Sequence, residues 1–416
     1  MKVLVLGAGV IGITTAYYLH KDGHEVVVVD RQPGAGLETS FANAGGVCPS
    51  FAGPWAVPGM PIKVVRWLFA RHAPLSLKPK FDPHQWRWLA AFIANCTLER
   101  FVRNKTHMQR IAHYSKACLM TLREEVGIAY DNAAGGVLQV FQTDKELDGA
   151  QHAAKVLHSF NVAHRLVDTK EAIAIEPALA GRIAPIAGAL HLPEDETGDC
   201  HLFTAQLAEL LRDQGVFFRY DTAIHALLSD GSNITGVVTA NGTLTADCYV
   251  VALANEAPLL LLSVGIGVSI YPVKGYAITI ENADAVGAPR SSVMDEHTKV
   301  MVTRLGNRVR AAGIAEVGGY DRSIDSRKIE TVLEATRALF PKAGDYTKVS
   351  TWAGLRPMTP DGPAYLGATP LRNLMLNVGH GSNGWTQACG CGRIVADLVS
   401  GRQPDIDLSG MTLDRR

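Results

Sequence analysis

Six residues near the start of the chain, Gly7-Ala8-Gly9-Val10-Ile11-Gly12, limit what it can fold into more than any other stretch. They follow Val3, Leu4, Val5 and Leu6, an apolar run of the kind buried on both faces of a parallel sheet. After them the period changes. Ile13, Ala16, Tyr17 and Leu19 recur at helical spacing up to Gly23, and Glu25 to Val29 predicts a second strand closed by Asp30. Each glycine has its own task in such a strand–turn–helix unit: Gly7 permits the tight turn, Gly9 lets the backbone approach a pyrophosphate, and Gly12 lets the helix lie close on the strand. Phosphates would rest at the positive end of the helix dipole, where unpaired N–H groups point outward. The strand and the helical start, including Thr14 and Thr15, are assigned to a dinucleotide site on this basis. Asp30 puts a carboxylate at the tip of the second strand, where it would accept from the adenosine ribose hydroxyls and repel a 2′-phosphate. Arg31, beside it, joins the expected cofactor set.

The remaining composition narrows the class. The chain has 416 residues, 47% of them hydrophobic, which suits two domains with sizeable cores. Forty Lys+Arg balance forty Asp+Glu, so no overall field draws the molecule to nucleic acid. Seven cysteines, odd in number and widely spread, point to a reducing, cytoplasmic setting. Cys389-Gly-Cys391 lacks the spacer of a redox pair and has no second pair for zinc, so these are expected to be buried thiols and no metal is expected. The longest apolar run, near Ala257 to Ile270, is interrupted and too short to span a bilayer. No hydrolase triad motif is present, which disfavours hydrolysis.

The glycine fingerprint alone leaves the dinucleotide open. Two further segments bear on it. Glu38 to Gly46 is small and hydroxylic, suited to a loop crossing a second part of a cofactor, with Ser40, Asn43, Ala44 and Gly45 beside the pyrophosphate or an isoalloxazine ring. Asn377 to Thr386 is a second strand-to-helix turn, and the free N–H groups of its helix start suit an electron-rich locus such as the flavin N1–C2=O edge.

With these segments the chain resembles the FAD-dependent D-amino acid dehydrogenases, within the group that includes glycine oxidase, sarcosine oxidase and D-amino acid oxidase. The resemblance runs almost end to end, through Gly7 to Gly12, Leu37 to Ser40, Asn43 to Gly45, Leu192 to Cys200, Tyr271 to Tyr276, Gly354 to Gly362, Gly379-His380-Gly381 and Gly384-Trp385-Thr386. It implies an α/β fold in which a discontinuous, Rossmann-type FAD-binding domain spans 1–50, 150–255 and 355–416. An α+β substrate domain of antiparallel sheet plus helices is then expected over 51–149 and 256–354. It also implies FAD as cofactor and oxidation of a D-amino acid to a 2-oxo acid and ammonia, with electrons leaving to a respiratory acceptor such as quinone. The chain departs from the group at Asn255, where an Ala-Thr-Gly turn is common.

Moving a hydride from Cα to a flavin requires a fixed carboxylate and hence a fixed cation. Arg356 is the candidate, because a guanidinium grips a carboxylate with two parallel hydrogen bonds and stays charged. The resemblance gives the arginine of this Leu-Arg-Pro segment that role. His380 would bond the flavin or substrate, or serve only in packing. Lys274 and Tyr276 lie on a strand whose alternation could aim one of them at the pocket, or leave both as scaffold. His297 and Lys299 are weaker candidates.

Residues 61–105 carry nine Lys/Arg and two acids, and four of the six tryptophans fall between Trp55 and Trp88. Over Pro61 to His72 bases alternate with apolar residues at helical spacing, the composition of a segment lying in a membrane interface. Two readings stand for this segment: tryptophans filling the substrate domain's core with the bases as a solvated face, or peripheral contact on the inner face of the membrane through 55–88. An oxygen-using oxidase of glycine, sarcosine or another secondary amine is the nearest rival, and a non-catalytic dinucleotide-binding module the rival from another class.

Overall fold

The strand Lys2–Leu6 sits inside a six-stranded sheet, flanked in parallel by Glu25–Val29 on one side and Cys248–Val251 on the other. The structure is a computed structural model that describes residues 1–68 and 74–415. Phe217–Arg219 closes one edge of this sheet, and Leu374–Val378 followed by the antiparallel Tyr365–Ala368 closes the other. Val3 to Leu6 are all buried, as a strand covered on both faces requires. The helix Val10–Lys21 packs against the final helix Gly384–Val399, which also lies on the long helix Leu98–Val126. Thr14 locks the first of these contacts by donating to the carbonyl of Ala388 at 2.9 Å. Cys389 and Cys391 are buried and unbridged on that final helix.

A second sheet carries the other half of the molecule. In order it runs Asp345–Met358, Tyr271–Glu281, Arg308–Val317, Val300–Leu305, Ser292–Asp295, Val137–Phe141, Gly188–Leu192 and Arg165–Val167, with Leu75–Leu77 paired to Arg308–Val317. Most neighbours are antiparallel; Ser292–Asp295 runs parallel to Val137–Phe141. Sheet membership differs from the expected division in one place. Arg165–Val167 and Gly188–Leu192 belong to this second sheet although 150–255 is expected with the nucleotide domain, because Val137–Phe141 needs a partner on its far edge and Gly188–Leu192 supplies it. After Cys200–Asp213 the chain returns to the six-stranded sheet with Phe217–Arg219 and Cys248–Val251, and between them it forms a separate three-stranded sheet from Ile224–Ser229, Ile234–Thr239 and Gly242–Leu244. It comes back to the six-stranded sheet with Tyr365–Ala368 after the second sheet is complete.

The basic aromatic insertion divides between core and surface. The indole of Trp88 is buried and donates to the carbonyl of Met358, whereas Trp86 is 52% exposed. Residues 69–72 of the expected interfacial stretch lie outside the described residues.

Candidate active site

Between the two sheets lies a cavity of about 2210 Å³. One end is the glycine turn. Gly7 takes φ +112°, and a Cβ there would stand 2.6 Å from the carbonyl of Ala252. Gly12 is tighter, with a Cβ position 1.9 Å from the carbonyl of Gly7. Gly9 instead faces open space beside Ser40, whose hydroxyl accepts from the N–H of Val10 at 3.0 Å. Gly7, Ala8, Gly9, Val10 and Ile11 line the cavity. Val3 to Leu6, Gly12, Ile13, Thr14, Thr15, Ala16 and Tyr17 do not, contrary to expectation, because they face the sheet core and the neighbouring helices. Thr15 accepts from Asn377 at 3.0 Å, and the Tyr17 hydroxyl donates to Glu125 at 2.8 Å.

Asp30 sits at the cavity wall at the end of its strand, and its carboxylate is also tied to the turn. It accepts from the N–H of Ala8 at 2.6 Å and of Gln32 at 2.8 Å, while burial raises its pKa. Arg31 is engaged by Glu38 at 2.9 Å and Glu256 at 3.3 Å; Glu38 also pairs with Arg322. Asn43 accepts from the N–H of Gly45 at 3.0 Å, shaping the loop in which Gly45 adopts φ +78°. Ser40, Asn43, Ala44 and Gly45 all line the cavity.

The other helix start comes from the end of the chain. His380, Gly381, Gly384, Trp385 and Thr386 line the cavity, and Gly379 lies behind them against Thr359 and Ile270. Trp385 donates to the carbonyl of Gly198, and Thr386 accepts from the N–H of Cys48 at 3.0 Å, so this helix holds the loop after Gly46 in place. Neither helix start has a side-chain cap from its own N-cap residue. His380 is buried, and burial pushes its imidazole down to about 3, so it is neutral at ordinary pH.

Among the described residues, three buried polar atoms on the cavity wall have no partner: His380 Nε2, Asn255 Oδ1 and Asn377 Oδ1. Buried groups of this kind are normally satisfied, so they call for a polar ligand. Together with the open face at Gly9 and the two helix starts that meet the cavity, they fit a bound FAD.

Arg356 lies on the strand Asp345–Met358, paired with Val273 of Tyr271–Glu281. Its guanidinium donates to the carbonyl of Ile314 at 3.1 Å and stands 5.7 Å from the ring of Trp55. Among the described residues no carboxylate pairs with it, and its recessed position alone lowers its pKa to about 10. It remains a cation near neutral pH. Gly275 makes room for it: a Cβ there would stand 2.5 Å from Nη1. The residue before Arg356 is fixed as well, since the carbonyl of Leu355 accepts from Thr39 at 2.9 Å and from Asn255 at 2.8 Å. Gly275 and Asn255 carry this geometry through contacts between distant segments, which no local pattern reports.

The polar ends of Lys274 and Tyr276 are engaged by other groups of the protein. Lys274 is buried and pairs with Glu316 at 3.0 Å and Asp321 at 3.1 Å, and it donates to the carbonyl of Ser323 at 3.0 Å. Tyr276 bounds the cavity with part of its ring, yet its hydroxyl also turns to Glu316. The reason is strand alternation: 274 and 276 share one face, and 275 presents the other to Arg356. His297 bonds Glu146 at 2.8 Å and Lys299 pairs with Glu296, at the cavity's outer edge. Among the described residues no cluster could hold a metal ion.

The fold and this site define a flavin-dependent oxidoreductase. The chain belongs to the FAD dependent oxidoreductase family, which matches residues 2–398. It is 49% identical to a D-amino acid dehydrogenase of Bradyrhizobium diazoefficiens, over 100% of this chain and 99% of that protein. It is 51% identical to the D-amino acid dehydrogenase of Methylobacterium radiotolerans with the same coverage. Among solved structures, glycine oxidase from Geobacillus kaustophilus superposes with a TM-score of 0.77 at 24% identity, over 100% of this chain and 98% of that one. L-proline dehydrogenase from P. horikoshii gives 0.73 at 19%, over 99% and 96%. At those identities the two structures share the fold.

Proposed function

We propose that this protein oxidises D-amino acids to 2-oxo acids and ammonia, with Arg356 anchoring the substrate carboxylate. The observation that carries the reading is a recessed guanidinium on the cavity wall with no acid paired to it among the described residues. A cation desolvated in this way is poised for an incoming carboxylate, and its fork favours two parallel hydrogen bonds. The full-length relatives at 49–51% identity named D-amino acid dehydrogenase support the same substrate class. FAD, when bound, takes up the two electrons and the hydrogen that leave the substrate Cα. The chain's part is placement: Arg356 orients the Cα–N bond, Trp55 covers the guanidinium, and the neutral His380 offers a hydrogen bond without adding charge. The imino acid that leaves is hydrolysed by water to the 2-oxo acid and ammonia. Anaerobic mixing of the holoenzyme with D- and L-amino acids tests this: bleaching of the flavin by D-alanine and not by L-alanine is expected, and persistent yellow colour across the panel overturns it.

For the acceptor, we infer a membrane quinone reached at the inner face of the membrane. Ile62, Phe81, Trp86, Ile93, Leu98 and Val102 are all exposed, amid the exposed bases Lys63, Lys80, Arg87, Arg100 and Arg103. Leu98 and Val102 also line the cavity, so this surface meets the site. Apolar side chains interleaved with bases suit an anionic lipid surface. Among the described residues no helix is long and apolar enough to cross a membrane, so the contact would be peripheral. Sedimentation of the holoenzyme with anionic but not zwitterionic vesicles, and reduction of a soluble quinone without peroxide, are the expected results.

A further inference from the structure

Arg356 is not alone in facing the cavity as a recessed cation without an acid. Lys105, on the long helix Leu98–Val126, is 7% exposed and lines the same cavity. Its ammonium stands 5.6 Å from the ring centroid of Phe160 and packs on Gly53. No ion pair to it is found among the described residues, and burial alone pulls it down to about 8. Its position is built. One turn further along the helix, Gln109 donates to the carbonyls of Pro49 and Ala52 at 2.8 and 2.7 Å, which holds the Gly53–Trp55 segment between Lys105 and Arg356.

We propose that Lys105 is a specificity-determining residue that receives a carboxylate at the far end of the substrate side chain, so that the site takes acidic D-amino acids as well as small ones. This rests on the reading that Arg356 holds the α-carboxylate. A lysine kept out of water without a partner is costly, and a full negative charge offsets that cost where a neutral carbonyl does so only weakly. Phe160, Leu157 and Phe101 line the same cavity as Lys105 and offer apolar surface to a methylene chain.

The test uses the oxidised holoenzyme and reads perturbation of the flavin spectrum on titration with α,ω-dicarboxylates from malonate to pimelate, each against the monocarboxylate of equal length. The expected result is one chain length at which the dicarboxylate binds at least tenfold more tightly than its monocarboxylate. That preference disappears in Lys105→Gln, whose retained flavin absorbance reports an intact protein. A flat series in the wild-type protein overturns the proposal, with no variant needed. So does a preference that survives in Lys105→Gln. If neither mono- nor dicarboxylates perturb the spectrum, the anchor role of Arg356 fails and this proposal fails with it. If monocarboxylates bind and the series is flat, only Lys105 is wrongly assigned.

Discussion

The guanidinium of Arg356 rests on the backbone of Gly275, in space that any side chain at 275 would occupy. The two strands that carry them are paired, so the cation is set by sheet register and cannot simply swing away. Gly275→Ala should therefore act as an anchor mutation without touching the anchor. Losing one well-aligned charge-assisted hydrogen bond is worth about 1.5–3 kcal/mol, so KM for the amino acid should rise roughly 10- to 100-fold with flavin content unchanged. Steady-state kinetics beside the visible spectrum of the purified protein would check both halves. An unchanged KM would mean that the guanidinium finds an equivalent place.

At the other end of the cavity the same reasoning applies to the cofactor. Gly12→Ala puts a methyl 1.9 Å from the carbonyl of Gly7, so the helix Val10–Lys21 must shift off its strand. Overpacking of this kind costs about 1–3 kcal/mol. The expected outcome is a lower Tm and purified protein with much less flavin, measured by absorbance against total protein. Gly267→Ala, where no atom lies within 4 Å of the new Cβ, is the control and should change neither.

What could be read in advance, and what could not, divides along one physical line. The turn Gly7 to Gly12, the strand ended by Asp30 and the helix opened by Gly384 are local patterns, and the structure forms them as spacing dictates. Assigning Val3 to Leu6 and Ile13 to Tyr17 to the cofactor confused the element that carries a site with the atoms that line it. Lys274 shows the limit of composition. A lysine two residues from a tyrosine on a strand near the site looks functional until Glu316 and Asp321, more than forty residues away, are found holding it. Gly275 and Lys105 carry no signature of their own, and Asn255 stands out only as a departure from the usual turn, because their importance comes from packing between segments distant in the chain.

His380 gives a pH dependence with a definite sign. Its folded-state pKa is about 3, below the ordinary 6.5, so the folded protein refuses a proton that the unfolded chain accepts. Its contribution to stability is complete above pH 6.5 and is lost as pH falls from there toward 3, at up to about 1.4 kcal/mol per pH unit. His380→Gln removes that titration while keeping a side-chain amide near the cavity. Urea unfolding between pH 7.5 and 4.5 should show the wild-type protein losing stability faster than the variant. Parallel curves would mean that water reaches the imidazole.

Asp195 should behave in the opposite direction. Its carboxyl is buried beneath the cavity wall, receives the N–H of Ser50 at 3.3 Å and bonds the Ser50 hydroxyl, and burial pushes it up to about 7. The folded protein therefore keeps a proton that the unfolded chain has released. That stability is fully present below the ordinary carboxylate range and is lost as pH rises through 7. Asp195→Asn mimics the protonated form, since its amide can donate to the Ser50 hydroxyl while its oxygen accepts from the Ser50 N–H. The variant should gain on the wild-type protein from pH 4 to 7, by at most about 1.4 kcal/mol per unit, and the gap should stay level above that. The hydrogen bonds from the Ser50 hydroxyl and N–H, and after them Lys116, which lies 3.8 Å from Glu196, favour the ionised carboxyl and compete with burial. If they keep the carboxyl ionised, the variant will be less stable at pH 8, because a charge-assisted bond to Ser50 will have been lost.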